Sequence, residues 1–138
     1  MTKIKYDVNI MKYMSMFEAL TQTKLKDCIV GEEKIIFIVE ENQIGKAIGK
    51  KGINVKKIEN MLNKKIKISE FNSNVLQFIQ NFIYPLKPKD IKEENKIVTI
   101  IGPDTKTKGL LIGRDAKNLN NLKSIVKRYF DVEDIKVV

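Results

Sequence analysis

The sequence predicts an α+β protein of the layered α/β sandwich kind. An α-β-β-α-α-β unit is built twice in tandem, and the helices of each unit pack on one face of a three-stranded sheet. Three observations carry that prediction. The phrase "GKAIGKKGINVKKIE" (residues 45–59) returns as "GLLIGRDAKNLNNLK" (residues 109–123), and a constant offset of 64 aligns Gly45 with Gly109, Ile48 with Ile112, Gly49 with Gly113, Asn54 with Asn118 and Ile58 with Leu122. An apolar, β-branched run precedes each copy, "KIIFIVEENQI" (34–44) and "KIVTIIGPDT" (96–105). A stretch with apolar residues at helical spacing opens each half. Repeats that match in their flanks as well as their centres are one supersecondary unit duplicated.

The elements follow in order. The first helix is expected from Asn9 to about Thr21, with Met11, Met14, Phe17 and Leu20 on an i, i+3 stripe facing the core; "SNVLQFIQNFIY" (73–84) is its counterpart. "DCIV-GEE-KIIFIV" (27–39) reads as a hairpin, and so does "DIK-EEN-KIVTII" (90–101), which follows Pro85 and Pro88. A short helix then carries a Gly-x-x-x-Gly spacing, Gly45/Gly49 or Gly109/Gly113. These helices are short and rich in lysine, so the glycines are expected to bring the helix backbone close to the sheet rather than to pair membrane helices. After a tight turn comes a longer amphipathic helix, with Val55, Ile58, Met61 and Leu62 in one copy and Leu119, Leu122, Ile125 and Val126 in the other. Tyr129 and Phe130 are expected to anchor the second of these in the core. "KIKIS" (65–69) and "DIKVV" (134–138) close the units as strands, dividing the chain into residues 1–71 and 72–138.

Composition narrows function by subtraction. A chain of 138 residues with 43% hydrophobic and 31% charged residues suits a folded protein. No apolar run approaches the roughly 20 residues of a membrane helix, and the opening "MTKIKYDVNIMKYMSMF" lacks the pattern of a secretory signal. The expected setting is the cytoplasm, with no membrane partner. Cys28 is the only cysteine and there is no histidine, which excludes an internal disulfide and a cysteine-based zinc site and removes the commonest metal ligand and acid–base catalyst. No catalytic residue, metal site or cofactor is assigned. Cys28, inside the apolar "CIV", is expected to be a small buried packing residue. The acidic pairs Glu32–Glu33, Glu40–Glu41 and Glu93–Glu94 read as solvated charge, the first and last in predicted turns.

The net charge of +9 and a pI near 9.5 call for a polyanionic partner, nucleic acid or an acidic membrane surface. The charge is local. Residues 45–67 hold eight lysines and one acid, and residues 106–128 hold seven Lys/Arg and one acid, so each basic segment contains one copy of the repeated phrase.

"IGKKGINV" sets two glycines around two lysines at a break between helices. Glycine lets the chain bend sharply and lets another backbone come close. The helix beginning near Ile53 offers N–H groups and the positive end of its dipole, and Lys50 and Lys51 add mobile charge; all three favour phosphate. A nucleotide-binding P-loop is excluded by spacing: it needs four residues between its glycines and a Ser or Thr after the lysine, and here there are three residues and Lys51.

"IGKKGINVKKI" resembles the helix–GXXG–helix signature of the KH domain, with Gly49-Lys50-Lys51-Gly52 as the GXXG loop. The resemblance implies that the loop holds a single-stranded backbone of about four nucleotides, while an adjoining apolar groove receives the bases. On that basis Ile48, Gly49, Lys50, Lys51, Gly52, Val55 and Lys57 are the expected RNA-binding residues. Helix-plus-strand extensions precede both cores, and the chain stops at Val138 directly after its last predicted strand, without the strand and helix that follow the core in the eukaryotic-style arrangement. The pattern is therefore similar to two tandem prokaryotic-type (type II) KH domains, and the whole to the archaeal NusA-like transcription factors. That likeness implies nascent single-stranded RNA as partner, RNA polymerase as a second partner, a role in elongation or termination, and a monomer. Roles in ribosome assembly or RNA processing, and a KH scaffold that binds protein instead of RNA, remain open alternatives.

The second loop reads Gly113-Arg114-Asp115-Ala116. Asp115 stands where the first copy has Lys51 and opposes an approaching phosphate, although near a helix start it also suits the dipole. The Ala116 methyl occupies space that glycine leaves open. Gly113, Arg114, Ala116 and Lys117 are therefore expected to form a weaker RNA contact, extended by Lys123, Lys127 and Arg128. Asn54 and Asn118 are expected to support the local turn.

Overall fold

A computed structural model describes residues 8–138; the first seven residues of the first expected unit lie outside the described residues. The contacts divide the chain into two compact units, one ending at Asn72 and the other formed by Ser73–Val138. Each unit contains the repeated element order.

In the first unit, α1 (Val8–Thr21) leads into the antiparallel pair β1 (Leu25–Val30) and β2 (Lys34–Val39). Then α2 (Ile44–Ile48) and α3 (Ile53–Leu62) cross over to β3 (Lys65–Glu70), which lies parallel to β2. The sheet order is β1-β2-β3. Phe17, Ala47 and Ile58, one from each helix, meet Ile35, Phe37 and Val39, alternate residues of β2 that share one face of the pleat. The Phe17 and Phe37 rings stack with centroids 4.4 Å apart. Ile36 and Ile38 are buried too, as the unbroken apolar run "KIIFIV" dictates for a strand covered on both faces. Cys28 is buried among the core residues and takes part in no disulfide. Asp27 follows an irregularity in the β1–β2 register, and its Oδ1 accepts the Cys28 N–H at 2.8 Å.

The second unit repeats the plan with α4 (Val75–Ile83), β4 (Asp90–Glu94), β5 (Ile97–Ile101), α5 (Thr105–Ile112), α6 (Lys117–Tyr129) and β6 (Asp134–Val137). The sheet order is β4-β5-β6, with β4 antiparallel and β6 parallel to β5. Here burial alternates along β5, Val98 and Ile100 being fully covered. Tyr129 and Phe130 are anchors, their rings 5.6 and 5.7 Å from that of Phe78. Among the described residues no helix is long and apolar enough to cross a membrane.

Four local expectations need correction. Met11 is 56% exposed, because the buried stripe of α1 runs through its neighbour Ile10, which packs on the core with Met14 and Leu20. Met61 is also exposed, while Leu62 beside it takes the place on the core. The second hairpin does not turn at Glu93–Asn95: β4 runs through Glu94, which pairs with Ile97, and the two-residue turn is Asn95–Lys96, both at positive φ. That is the backbone demanded by a tight hairpin between right-twisted strands, and it places Glu93 and Glu94 on an exposed edge strand. Finally, a Cβ at Gly45 or Gly109 would meet nothing within 4 Å, so neither glycine serves a close approach to the sheet.

Candidate nucleic-acid interface

The bend between α2 and α3 is made by three residues in unusual conformations. Gly49 has φ 77°, ψ 170° and stops α2. Lys50–Gly52 then form one 3-10 turn, in which Lys51 (φ 55°, ψ 28°) and Gly52 (φ 71°, ψ 23°) are both left-handed. Gly49 N–H donates to the Gly45 carbonyl at 3.0 Å and Gly52 N–H to the Gly49 carbonyl at 3.1 Å, which closes the bend on itself. Around Gly52 the space is open: an added Cβ would touch nothing within 4 Å.

Lys50 and Lys51 stand exposed at the tip, with Lys46 on α2 and Lys56 and Lys57 on α3 also exposed. Among the described residues none of these five forms a salt bridge, so their charge is uncompensated by a close acid. Ile48 and Val55 are half-buried beside the bend, and Gly49 is tucked beneath the Asn54 side chain. Sequence reasoning passed over Ile53, which is 47% exposed where α3 begins. Its position directly after Gly52 was the available signal. Lys67, in β3, is different: burial, and then the charge of Lys34, hold its ammonium down to about 8.

The second bend copies the first. Gly113 has φ 76°, ψ 172°, Asp115 φ 55°, ψ 31°, and Ala116 φ 59°, ψ 23°. Alanine therefore sits in a left-handed conformation that glycine adopts freely and other L-residues resist, a cost not visible from residue type alone. Arg114 and Lys117 are exposed. Lys123 is engaged elsewhere, its Nζ 2.9 Å from Asp134, and this hydrogen bond, with one from the Ile135 N–H, holds the Asp134 carboxyl below its ordinary range. At the matching position of the first unit stands Glu59, whose carboxylate accepts the Ile66 N–H at 3.0 Å.

The helices leading into the bends also differ. α5 has eight residues and an N-cap, Asp104 Oδ1 accepting the Thr107 N–H at 2.7 Å; α2 has five residues and no side-chain cap, its flanking Gln43 accepting the Lys24 N–H instead. A capped helix of two turns is the stiffer support.

Two β-α-α-β cores, each preceded by a helix and a strand and each broken between its helices by the same bend, define a protein of two tandem type II KH folds. Comparison with known proteins agrees. Residues 16–74 match the family model described as NusA-like second KH domain. The chain is 32% identical to the probable transcription termination protein NusA of Methanocaldococcus jannaschii, covering 100% of this chain and 77% of that one. With the protein of the same description from Methanococcus vannielii it shares 34% identity, over 99% of this chain and 80% of the relative. The crystal structure of APE1850 superposes with a TM-score of 0.76 at 27% identity, over 96% of this chain and 100% of the other. The chain belongs to the archaeal NusA-like family of KH proteins.

Proposed function

We propose that the protein is a non-enzymatic, single-stranded RNA-binding factor acting on nascent transcripts in elongation or termination, with residues 1–71 and 72–138 as its two KH domains. The sugar-phosphate chain passes over Gly49–Gly52, where Lys50 and Lys51 meet phosphates. Ile48 and Val55 border the apolar side that receives bases, and Lys57 adds charge one turn further along α3. Gly113, Arg114, Ala116 and Lys117 make the weaker contact. The protein works as a monomer in the cytoplasm, needs no cofactor, and has RNA polymerase as its second partner.

One observation carries this reading: a bend with open space over Gly52, ringed by exposed lysines that no acid of the described residues neutralises. The names of the relatives supply the transcriptional context. Fluorescence anisotropy with a labelled, unstructured RNA across a salt series tests the binding. Affinity is expected to fall linearly with log salt, by a slope of about −0.7 for each phosphate neutralised. No salt-sensitive binding would point to a protein-binding scaffold instead. Recovery from extracts with assembling ribosomes rather than with transcribing polymerase would move the RNA role to ribosome assembly.

A further inference from the structure

In an uninterrupted helix the Lys46 carbonyl would accept a hydrogen bond from the N–H four residues on, that of Lys50. Gly49, at φ 77° and ψ 170°, turns the chain before that bond can close. The Lys46 oxygen accepts instead from the side chain of Asn54, whose Nδ2 lies 3.2 Å away. The second unit does the same thing with different neighbours. Asn118 Nδ2 donates to the Leu110 carbonyl at 2.8 Å, the oxygen that a continuous helix would offer to the Arg114 N–H.

The amide reaches its carbonyl only because the residue at the bend has no side chain. A Cβ on Gly49 would fall 2.9 Å from Asn54 Nδ2, and one on Gly113 would fall 2.7 Å from Asn118 Nδ2. Glycine and asparagine therefore form a matched pair, five residues apart and written twice in the sequence. The first glycine of the loop does more than turn the chain: it houses the donor that seals the end of the preceding helix.

We infer that Asn54 is a positioning residue for RNA, its side-chain amide occupying the Lys46 carbonyl so that the Lys50 N–H at the mouth of the bend is left to donate to a phosphate oxygen. The inference rests on the RNA reading above and adds a backbone donor to the lysine charges already described. Asn118 is the same device in a loop whose Asp115 repels phosphate. Its loss affects the fold of the second unit in the same way and RNA binding much less.

The test compares the unaltered protein with Asn54→Leu and Asn118→Leu, substitutions close to isosteric that remove the donor without adding charge. Affinity for unstructured RNA is measured across a salt series, with thermal melting alongside. Asn54→Leu is expected to weaken binding about 5- to 10-fold at every salt concentration, somewhat less than the loss of a whole hydrogen bond to a charged group, because the donor is misdirected and not removed. The salt slope stays unchanged, because no cation has been removed. Asn118→Leu is expected to lower the melting temperature similarly and to weaken binding by about twofold or less. Equal losses of affinity in the two variants, or full affinity in a folded Asn54→Leu protein, would overturn the inference. Should Asn54→Leu fail to fold, the unaltered protein decides: its Lys50 amide resonance is expected to move downfield and gain exchange protection on adding RNA, and an unmoved resonance overturns the inference. Absence of salt-sensitive binding by the unaltered protein would overturn the RNA reading, and this inference with it.

Discussion

At the first bend Lys51 holds φ 55°, ψ 28°, and at the second Asp115 holds φ 55°, ψ 31°. The glycines before them agree to within 2°, and each bend is braced by an asparagine amide of the following helix that donates to a carbonyl of the preceding one. What separates the two is chemistry laid on a common backbone: a lysine against an aspartate at the tip, and a glycine against an alanine in the left-handed position that follows. The bend's backbone therefore does not depend on the residues that set its charge and its conformational ease. The first unit has the open, cationic bend on a short, uncapped helix, whereas the second has a charge-balanced bend on a longer, capped one.

The difference can be broken or sharpened by substitution. The largest effect is expected from Lys50→Asp/Lys51→Asp, which reverses two charges at the open bend. RNA affinity should fall by about 100-fold or more at low salt, with a shallower salt slope, while Arg114→Asp costs several-fold less. Equal losses would abolish the asymmetry. Next comes a gain: Asp115→Lys gives the second bend the charge of the first on a backbone already in place. It is expected to raise affinity by roughly 3- to 10-fold and to steepen the salt slope by about 0.7. No gain would mean that something other than charge silences this loop.

Ala116→Gly tests the conformational half of the comparison. Relief of left-handed alanine is expected to stabilise the second unit by about 1 kcal/mol, read as a higher melting temperature, and the reciprocal Gly52→Ala should destabilise the first unit by a similar amount. The smallest effect concerns pH. The Lys123 hydrogen bond keeps Asp134 below its ordinary value of 3.8. A depressed carboxyl stabilises the fold above its unfolded pKa, and that contribution fades as pH falls through the lower folded value. Asp134→Asn should therefore flatten the loss of stability below about pH 4 and leave the melting temperature at neutral pH slightly reduced, as acid titration followed by circular dichroism would show.

Much of this arrangement was legible in the sequence, and the exceptions have physical causes. The duplication, the order of elements and the bend between two helices could be read because period and glycine spacing are local properties. Phe17 and Ile58 announced themselves as core through helical spacing. Met11 and Met61 carried the same signal and are exposed, because apolar spacing fits two adjacent stripes and the core is met by their neighbours Ile10 and Leu62. Asn95–Lys96 was missed as a turn, since lysine is a poor candidate for positive φ and the two glutamates before it looked more like loop. The strain at Ala116 was hidden for the same reason: it belongs to the backbone that the repeat imposes. Asn54 and Asn118 were legible as turn supports, but their hydrogen-bond partners eight residues upstream appear only in three dimensions.

The most direct test of the asymmetry is where RNA touches. Photo-crosslinking an unstructured RNA to the unaltered protein, followed by mass spectrometry of the joined peptides, should place most crosslinks within residues 45–59 and few within 109–123. Crosslinks shared evenly between these segments, or concentrated in the second, would contradict the account.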